Sequence, residues 1–160
     1  MTRLEYWIMA DTQYRIHSPF VFDMYRKVLF AEVDKSLRDR MAEGMPEEAV
    51  AAMQTAGRRE RAYHEIVYKL RDHYGLKVMC YDGDEAVLCP ESGQASNPET
   101  GQPLIEGEMK VVCRPHKCHA RELRWQAQQG NAKYNVSIDM YDVGLLMNCP
   151  RMHRQHFLLK

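Results

Sequence analysis

The sequence predicts an α/β protein, and three patterns along its 160 residues support that class. Apolar and polar residues alternate over 134–140, which is the period of two expected of a half-buried strand. Several earlier segments place apolar residues three and four positions apart, as amphipathic helices do. Between residues 108 and 140 a strand, a helix and a second strand follow one another. Together these patterns indicate a mixed sheet with helices packed on it.

The last quarter of the chain is expected to form a β-hairpin followed by a third extended run. Asp142-Val143-Gly144 supplies turn residues after the alternating strand, and the apolar run 145–147 then folds back on it. Residues 156–159 form the third run. Because a hairpin cannot bury its own apolar face, the residues upstream must supply the layer on which it packs.

Residues 1–58 are expected to form an N-terminal helical lead-in. Leu4–Met9 has the pattern of a short amphipathic helix. Ser18 suits an N-cap and Pro19 suits the first helical position, so a second helix should begin there. Its apolar stripe comprises Phe20, Val21, Met24, Tyr25, Val28 and Leu29. A further helix is expected from about Pro46.

Residues 59–160 are expected to form the α/β sheet domain. The predicted elements are a helix over 59–74 ending at Gly75, strands over 76–81 and 108–113, and a helix over 117–129. Ala120, Leu123 and Ala127 should form the inward face of that last helix. The segment 90–107 is rich in Pro, Gly, Ser and Asn, which predicts an inserted loop or flap and not a packed element.

Asp82, Gly83 and Asp84 follow the strand over 76–81 and form the first candidate site. Acidic and glycine residues just past the carboxyl end of a strand are where α/β proteins usually bind ligands. A tight Asp-Gly turn that leads into a second strand over 85–88 explains the same residues without a ligand. The sequence leaves both interpretations open.

Composition excludes some classes of partner. The 22 basic and 22 acidic side chains give a net charge of zero, so no overall field attracts nucleic acid or an anionic membrane. No apolar run approaches the roughly 20 residues that a membrane helix needs, and residues 4–9 are too short for a signal-peptide core. We therefore expect a cytoplasmic protein.

The five cysteines suggest a second candidate site. An odd number of cysteines without a secretory signal makes a disulfide framework unexpected. Cys80, Cys89, Cys113 and Cys118 could converge on a tetrahedral zinc ion, whose binding would help to hold the sheet. The sequence has no Cys-x-x-Cys pair, and inert core or loop thiols are the alternative.

Two segments carry a resemblance to a known family. Residues 15–25, Arg-Ile-His-Ser-Pro-Phe-Val-Phe-Asp-Met-Tyr, resemble the N-terminal lead-in of O-methyltransferase-like class I S-adenosylmethionine-dependent methyltransferases of Bacteroidetes. Residues 136–146, followed by 155–159, are similar to the closing hairpin of the same group. Between them, Tyr81–Asp84 looks like the end of the fourth strand of those enzymes, and 110–125 like their fifth strand and the helix after it.

The resemblance implies a Rossmann-like sheet with an antiparallel hairpin at its edge, S-adenosylmethionine as cofactor, and Asp82, Gly83 and Asp84 at the mouth of the sheet. The sequence departs from the family where the cofactor would bind. It lacks the Glu-x-Gly-x-x-x-Gly loop after a first strand. The segment from Gly75 to Lys110 is also too short for three strand–helix units. The expected fold is therefore a shortened Rossmann-like sheet.

Three functional hypotheses follow. The first is a degenerate, non-catalytic methyltransferase-like protein that acts as an interaction or structural module, with a second copy or another protein docking at an exposed sheet edge. The second is an active methyltransferase with a rebuilt cofactor site, which would align a nucleophilic oxygen or nitrogen with the methyl group under a lid formed by 90–107. The third is a small zinc-binding module.

Overall fold

The computed structural model describes residues 1–11, 16–41, 43, 45, 47–97 and 99–160, apart from the side chain of Arg38. The helices are α1 (Arg3–Met9), α2 (Pro19–Met24) with a π-helical turn after it (Tyr25–Leu29), α3 (Lys35–Met41), α4 (Glu47–Thr55), α5 (Arg58–Tyr74) and α6 (His119–Gln129). The strands are β1 (Leu76–Tyr81), β2 (Glu85–Pro90), β3 (Gln94–Ser96), β4 (Pro103–Glu106), β5 (Met109–Cys113), β6 (Val136–Asp139), β7 (Val143–Met147) and β8 (Gln155–Leu158).

These elements form a mixed α/β structure with a six-stranded sheet in the order β1-β2-β5-β7-β6-β8 and a separate β3–β4 pair. Neighbouring strands are antiparallel except β6 and β8, which are parallel. Because β7 is antiparallel to both of its neighbours, β5 and β6 run in the same direction, and α6 connects them. The predicted C-terminal hairpin is confirmed as β6 and β7, and the third extended run is confirmed as β8.

The turn of that hairpin lies earlier than predicted. It comprises residues 140–142, and Tyr141 adopts a left-handed conformation with φ 64°. Gly144 lies inside β7 opposite Asp139. A Cβ atom at Gly144 would lie 2.6 Å from Cη2 of Trp125, so this glycine is needed for the close approach of α6 to the sheet.

The expectation that β6 is half-buried is wrong, because all four of its residues are buried. Its polar side chains face α6 and the adjoining strand, where they find partners. Ser137 Oγ lies 2.6 Å from Nδ1 of His156 and accepts a hydrogen bond from Nε2 of Gln129 at 3.2 Å. Both faces of β6 therefore lie inside the protein: one is apolar, and the polar side chains on the other are hydrogen-bonded.

Helices cover both faces of the sheet. On one face, Tyr63 and Leu70 of α5 belong to the same buried cluster as Leu145. On the other, Trp125 of α6 packs with Leu146. Consecutive residues of β7 thus point to opposite sides, as a strand requires. The sheet is a middle layer between two apolar layers.

The second N-terminal helix, α2, begins where the sequence predicts. Ser18 Oγ accepts a hydrogen bond from the Val21 amide at 3.3 Å, and Pro19 occupies the first turn of α2. Met24 and Val28 are buried in the cluster that contains α5 and β7. Pro46, where a further helix was expected to begin, lies outside the described residues, and α4 starts at the next residue. The short α3 was not predicted.

Two predictions about the sheet domain are wrong. The expected inward residues of α6, Ala120, Leu123 and Ala127, are exposed, and Trp125 is the buried residue of that helix. The reason is that the polar face of β6 takes its hydrogen-bond donors from the opposite side of α6. The segment 90–107 also packs, because it contains β3 and β4, whose Ala95 and Ile105 are buried.

Candidate functional site

The carboxyl ends of four strands lie at one edge of the sheet. Because β2 is antiparallel to both β1 and β5, and β5 and β8 run with β6, the strands β1, β5, β6 and β8 all end at this edge. The segments that follow the first three are 82–84, 114–118 and 140–142. In α/β proteins ligands bind at such an edge, which makes it the first region to consider.

The predicted cofactor residues lie here and form a hairpin turn between β1 and β2. Asp82 Oδ1 accepts hydrogen bonds from the amides of Asp84 at 2.7 Å and Glu85 at 2.8 Å. The carboxylate of Asp84 forms an ion pair with Arg121 of α6. Of the two interpretations that the sequence left open, the structure agrees with the hairpin turn.

Little space remains beside this turn. The cavity that it shares with α6, lined in part by Asp84, Arg121 and Gln128, has a volume of about 20 Å³. That is room for about one water molecule, whereas pockets for small ligands and cofactors measure roughly 300–1,000 Å³. The oxygen Oε1 of Gln128 has no hydrogen-bond partner, and a water in this cavity would satisfy it.

A buried polar cluster occupies the same edge, centred on His116. The Nε2 atom of His116 lies 2.7 Å from Oδ2 of Asp139, and both side chains are at least 96% buried. Asp139 Oδ2 also accepts a hydrogen bond from Nε1 of Trp125 at 2.8 Å, and its Oδ1 accepts one from the Tyr141 amide at 2.9 Å. The ring of Tyr141 stacks on the imidazole with centroids 5.2 Å apart. The Asp139 carboxylate is therefore fully paired.

The second nitrogen of the imidazole faces another acid. His116 Nδ1 lies 3.5 Å from Oε1 of Glu122, an ion-pair distance, but it makes no hydrogen bond. Burial alone would lower the pKa of His116, yet the hydrogen bond and charge of Asp139, with the charge of Glu122, raise it above its ordinary value. A protonated imidazole between two carboxylates is the state that this geometry favours.

This cluster has the side chains of an acid–base dyad, but a substrate cannot reach them. A general base must reach the proton that it abstracts, and a buried imidazole between Asp139 and Glu122 is closed to a substrate. Among the described residues, no serine, threonine or cysteine is hydrogen-bonded to His116. The hydrogen bonds of the cluster connect the 114–118 segment to β6 and α6.

The four cysteines predicted as zinc ligands do not converge. Cys113 at the end of β5 is next to Val112, which pairs with Glu85, whereas Cys89 is four residues further along β2. At about 3.3 Å per strand residue, that places Cys89 roughly 13 Å away, far beyond a shared tetrahedral site. Cys80 and Cys118 are exposed. Within the described ranges, no group of three His, Cys, Asp or Glu side chains could hold a metal ion.

A much larger cleft lies away from this edge, between the start of α2, the end of α5 and the β3–β4 pair. Its volume is about 700 Å³, within the usual range for ligand pockets. Phe20 and Tyr74 contribute aromatic surface, Asp23 and Lys27 form an ion pair at 2.9 Å, and Cys149 lies at its base. Burial raises the pKa of the Cys149 thiol to about 12, so this cysteine is protonated and unreactive at neutral pH.

Comparison with known proteins found no similar protein. No family model, curated protein or solved structure matches the chain. Among the described residues, none of the helices combines the length and apolar character needed to cross a bilayer.

Sequence reasoning missed the His116 cluster and the cleft. One signal for the cluster was present: Asp139 stands on the polar face of a strand whose other face is strongly apolar. Its partners Trp125 and His116 are 14 and 23 residues away, and no local pattern connects them. The cleft had no signal, because it forms between elements that are distant in the chain.

Proposed function

We propose that the chain is a degenerate S-adenosylmethionine-dependent methyltransferase-like protein that serves as a non-catalytic interaction or structural module. One observation carries the proposal. Asp82–Asp84, the position at which the resemblance would place the cofactor, is a closed hairpin turn beside a cavity of about 20 Å³. A nucleoside cofactor does not fit that space.

The arrangement of β5, α6, β6 and β7 supports the family part of the proposal. Two strands in the same direction are joined by a helix, and the next strand inserts between them in the opposite direction. This is compatible with the Rossmann-like sheet and closing antiparallel hairpin that the resemblance implies. On the other side of β5, the β1–β2 hairpin stands where a Rossmann-like sheet would continue with parallel strands.

The glycines support the non-catalytic part. A cofactor loop needs glycines between a strand and the helix after it, where backbone amides approach the ligand. The described glycines with positive φ lie at the end of α5 or within the 90–107 segment: Gly75, Gly93, Gly101 and Gly107.

The five thiols are all free, which fits a reducing compartment such as the cytoplasm.

Calorimetry with S-adenosylhomocysteine tests this proposal. We expect no heat beyond dilution up to millimolar ligand, and a saturable signal would overturn the non-catalytic assignment. Two variants then locate the binding. Asp84→Ala removes a carboxylate at the predicted turn, and Asp23→Ala removes one from the large cleft. Both side chains are more than 40% exposed, so neither change should unfold the protein.

An active enzyme with a rebuilt site is the second candidate, and the 700 Å³ cleft is the observation that favours it. Loss of the calorimetric signal in Asp23→Ala, with the signal retained in Asp84→Ala, would place the cofactor there. The zinc module has no such support, since the cysteines lie apart; elemental analysis of the purified protein is its direct test.

A further inference from the structure

The outer face of α1 is apolar and exposed. We call it the α1 face and define it by Leu4, Trp7 and Ile8, whose exposed fractions are 70%, 61% and 70%. Three large apolar side chains exposed on one face of a seven-residue helix are unusual for a protein surface, where exposed apolar residues are normally scattered. The α1 face therefore has the character of an interface.

The helix is held firmly with this face outward. Tyr6, on the opposite side of α1, is 3% exposed, and its hydroxyl lies 2.5 Å from the carbonyl oxygen of Asp139 and 2.7 Å from that of Leu159. Thr2 and Glu5 form a capping box that satisfies the first turn. Turning the apolar face inward would break the Tyr6 contacts, so its exposure belongs to the packed state.

An apolar groove adjoins the α1 face. It has a volume of about 270 Å³ and is lined by Trp7 and Phe30 at its mouth and by Leu29, Ile66 and Val143 within. Phe30 is itself 46% exposed. The surface thus offers protruding apolar side chains and a groove next to each other. Protrusion beside groove is what a self-complementary, two-fold interface requires, because each copy must supply both.

The charges around the α1 face argue against a membrane as its occupant. The Met1 ammonium, Arg3 and Lys160 are basic, and Glu5, Glu122 and Asp142 are acidic. Two of these pairs are already formed, Arg3 with Asp142 at 3.4 Å and Met1 with Glu122 at 2.7 Å. Helices that bind anionic lipid carry a predominantly basic border. A border of both signs, already neutralised within each molecule, lets two copies meet without repulsion between like charges.

The area is also sufficient. The three exposed side chains present on the order of 400 Å² of apolar surface, within the range of the largest patch on a typical monomer, which is often functional. Two copies, with the groove lining included, would bury about 1,000 Å², the least expected of a specific protein interface. The two edge strands of the sheet are less suited. β1 carries a register irregularity between Val78 and Cys80, and such bulges oppose strand pairing. At the other edge, Leu159 just after β8 is already bridged to Asp11.

We propose that the α1 face and the groove beside it form the interface of a homodimer of this chain. The inference rests on the proposed interaction role, to which it adds the surface and the partner. Calorimetry tests the cofactor and sedimentation tests the interface, so either conclusion can fail while the other stands.

Sedimentation velocity over a concentration series tests the interface. We expect the full chain to dimerise, and Leu4→Glu/Ile8→Glu to raise the dissociation constant by about a hundredfold or more, since each change occurs twice in a two-fold dimer. The control is Leu123→Glu, which replaces an exposed leucine of α6 with one of the two added charges and should leave the dimer intact. Far-ultraviolet circular dichroism checks that each variant is folded.

Fluorescence gives a second readout on the same samples. Trp7 is exposed in the monomer, whereas Trp125 is 1% exposed and should not respond to association. Dilution of the dimer should therefore shift the emission to longer wavelength, and Trp7→Phe should abolish that shift. A monomer at all concentrations, or a dimer unaffected by Leu4→Glu/Ile8→Glu, would overturn the proposal. Binding of a monomer to phosphatidylserine vesicles would overturn it in favour of a membrane.

Discussion

Replacing Gly144 with alanine should destabilise the protein strongly, although the added methyl group is small. The new Cβ atom would lie 2.6 Å, 2.7 Å and 3.0 Å from three carbon atoms of the Trp125 ring. Carbon atoms are in ordinary contact at about 3.5–4.0 Å, so the overlap reaches nearly 1 Å. The ring cannot retreat freely, because its Nε1 donates to the buried carboxylate of Asp139 at 2.8 Å.

The magnitude follows from these two contacts. Overpacking a core costs about 1–3 kcal/mol, and a weakened hydrogen bond to a buried carboxylate adds about 1–3 kcal/mol. We expect the free energy of unfolding of Gly144→Ala to fall by about 2–6 kcal/mol, against a total of about 5–15 kcal/mol for a domain. Tm should fall by roughly 4–24 °C.

Urea unfolding monitored by circular dichroism measures this loss. Gly83→Ala is the matched control, because a Cβ atom there meets nothing within 4 Å, and its free energy of unfolding should stay within about 0.5 kcal/mol of the wild type. Gly144→Ala/Trp125→Phe removes the overlapping ring, so the double variant should lose less than the sum of the two single variants. A Gly144→Ala protein as stable as the control would refute the close approach of α6 and β7.

Three further predictions follow from the same contacts. His116 has a raised pKa when folded, so the stability contributed by its charge should be complete below about pH 6.5, its unfolded value, and be lost as pH rises through the folded pKa. The urea midpoint of the wild type should therefore exceed that of His116→Gln by more at pH 6 than at pH 8, and an equal difference at both would contradict the raised pKa. Ser18→Ala removes the N-cap of α2 and should cost about 1 kcal/mol in the same assay, whereas no loss would contradict the cap. A thiol reagent should label the exposed Cys80 and Cys118 quickly, and the buried Cys113 and Cys149 only on unfolding. Rapid labelling of Cys113 and Cys149 would contradict their burial.

The sequence predicted most of the helices and the C-terminal hairpin because their signals are local. Ser18-Pro19 begins α2 and Gly75, with φ 61°, ends α5, and both depend only on backbone chemistry within one turn. The pairing of β6 with β7 follows from short loop length and alternating polarity. By contrast, β3 and β4 have three and four residues, too few for a periodicity to be recognised.

The candidate site was predicted less well because its partners are distant in the chain. Asp82–Asp84 could be a ligand site or a turn, and the choice depended on whether β1 pairs with β2, which local residues do not determine. The inward side of α6 was misassigned for a related reason. Counting apolar residues favoured Leu123, but the buried carboxylate of Asp139 requires a donor, and Trp125 supplies it.

The anchoring of α1 has a consequence for biosynthesis. Tyr6 docks on carbonyl groups that follow it by 133 and 153 residues. At about 5–20 residues per second, a ribosome needs roughly 10–30 s between making that tyrosine and making its last acceptor. During this interval Tyr6 lacks its native acceptors, so α1 can dock on the sheet only after Leu159 has been made.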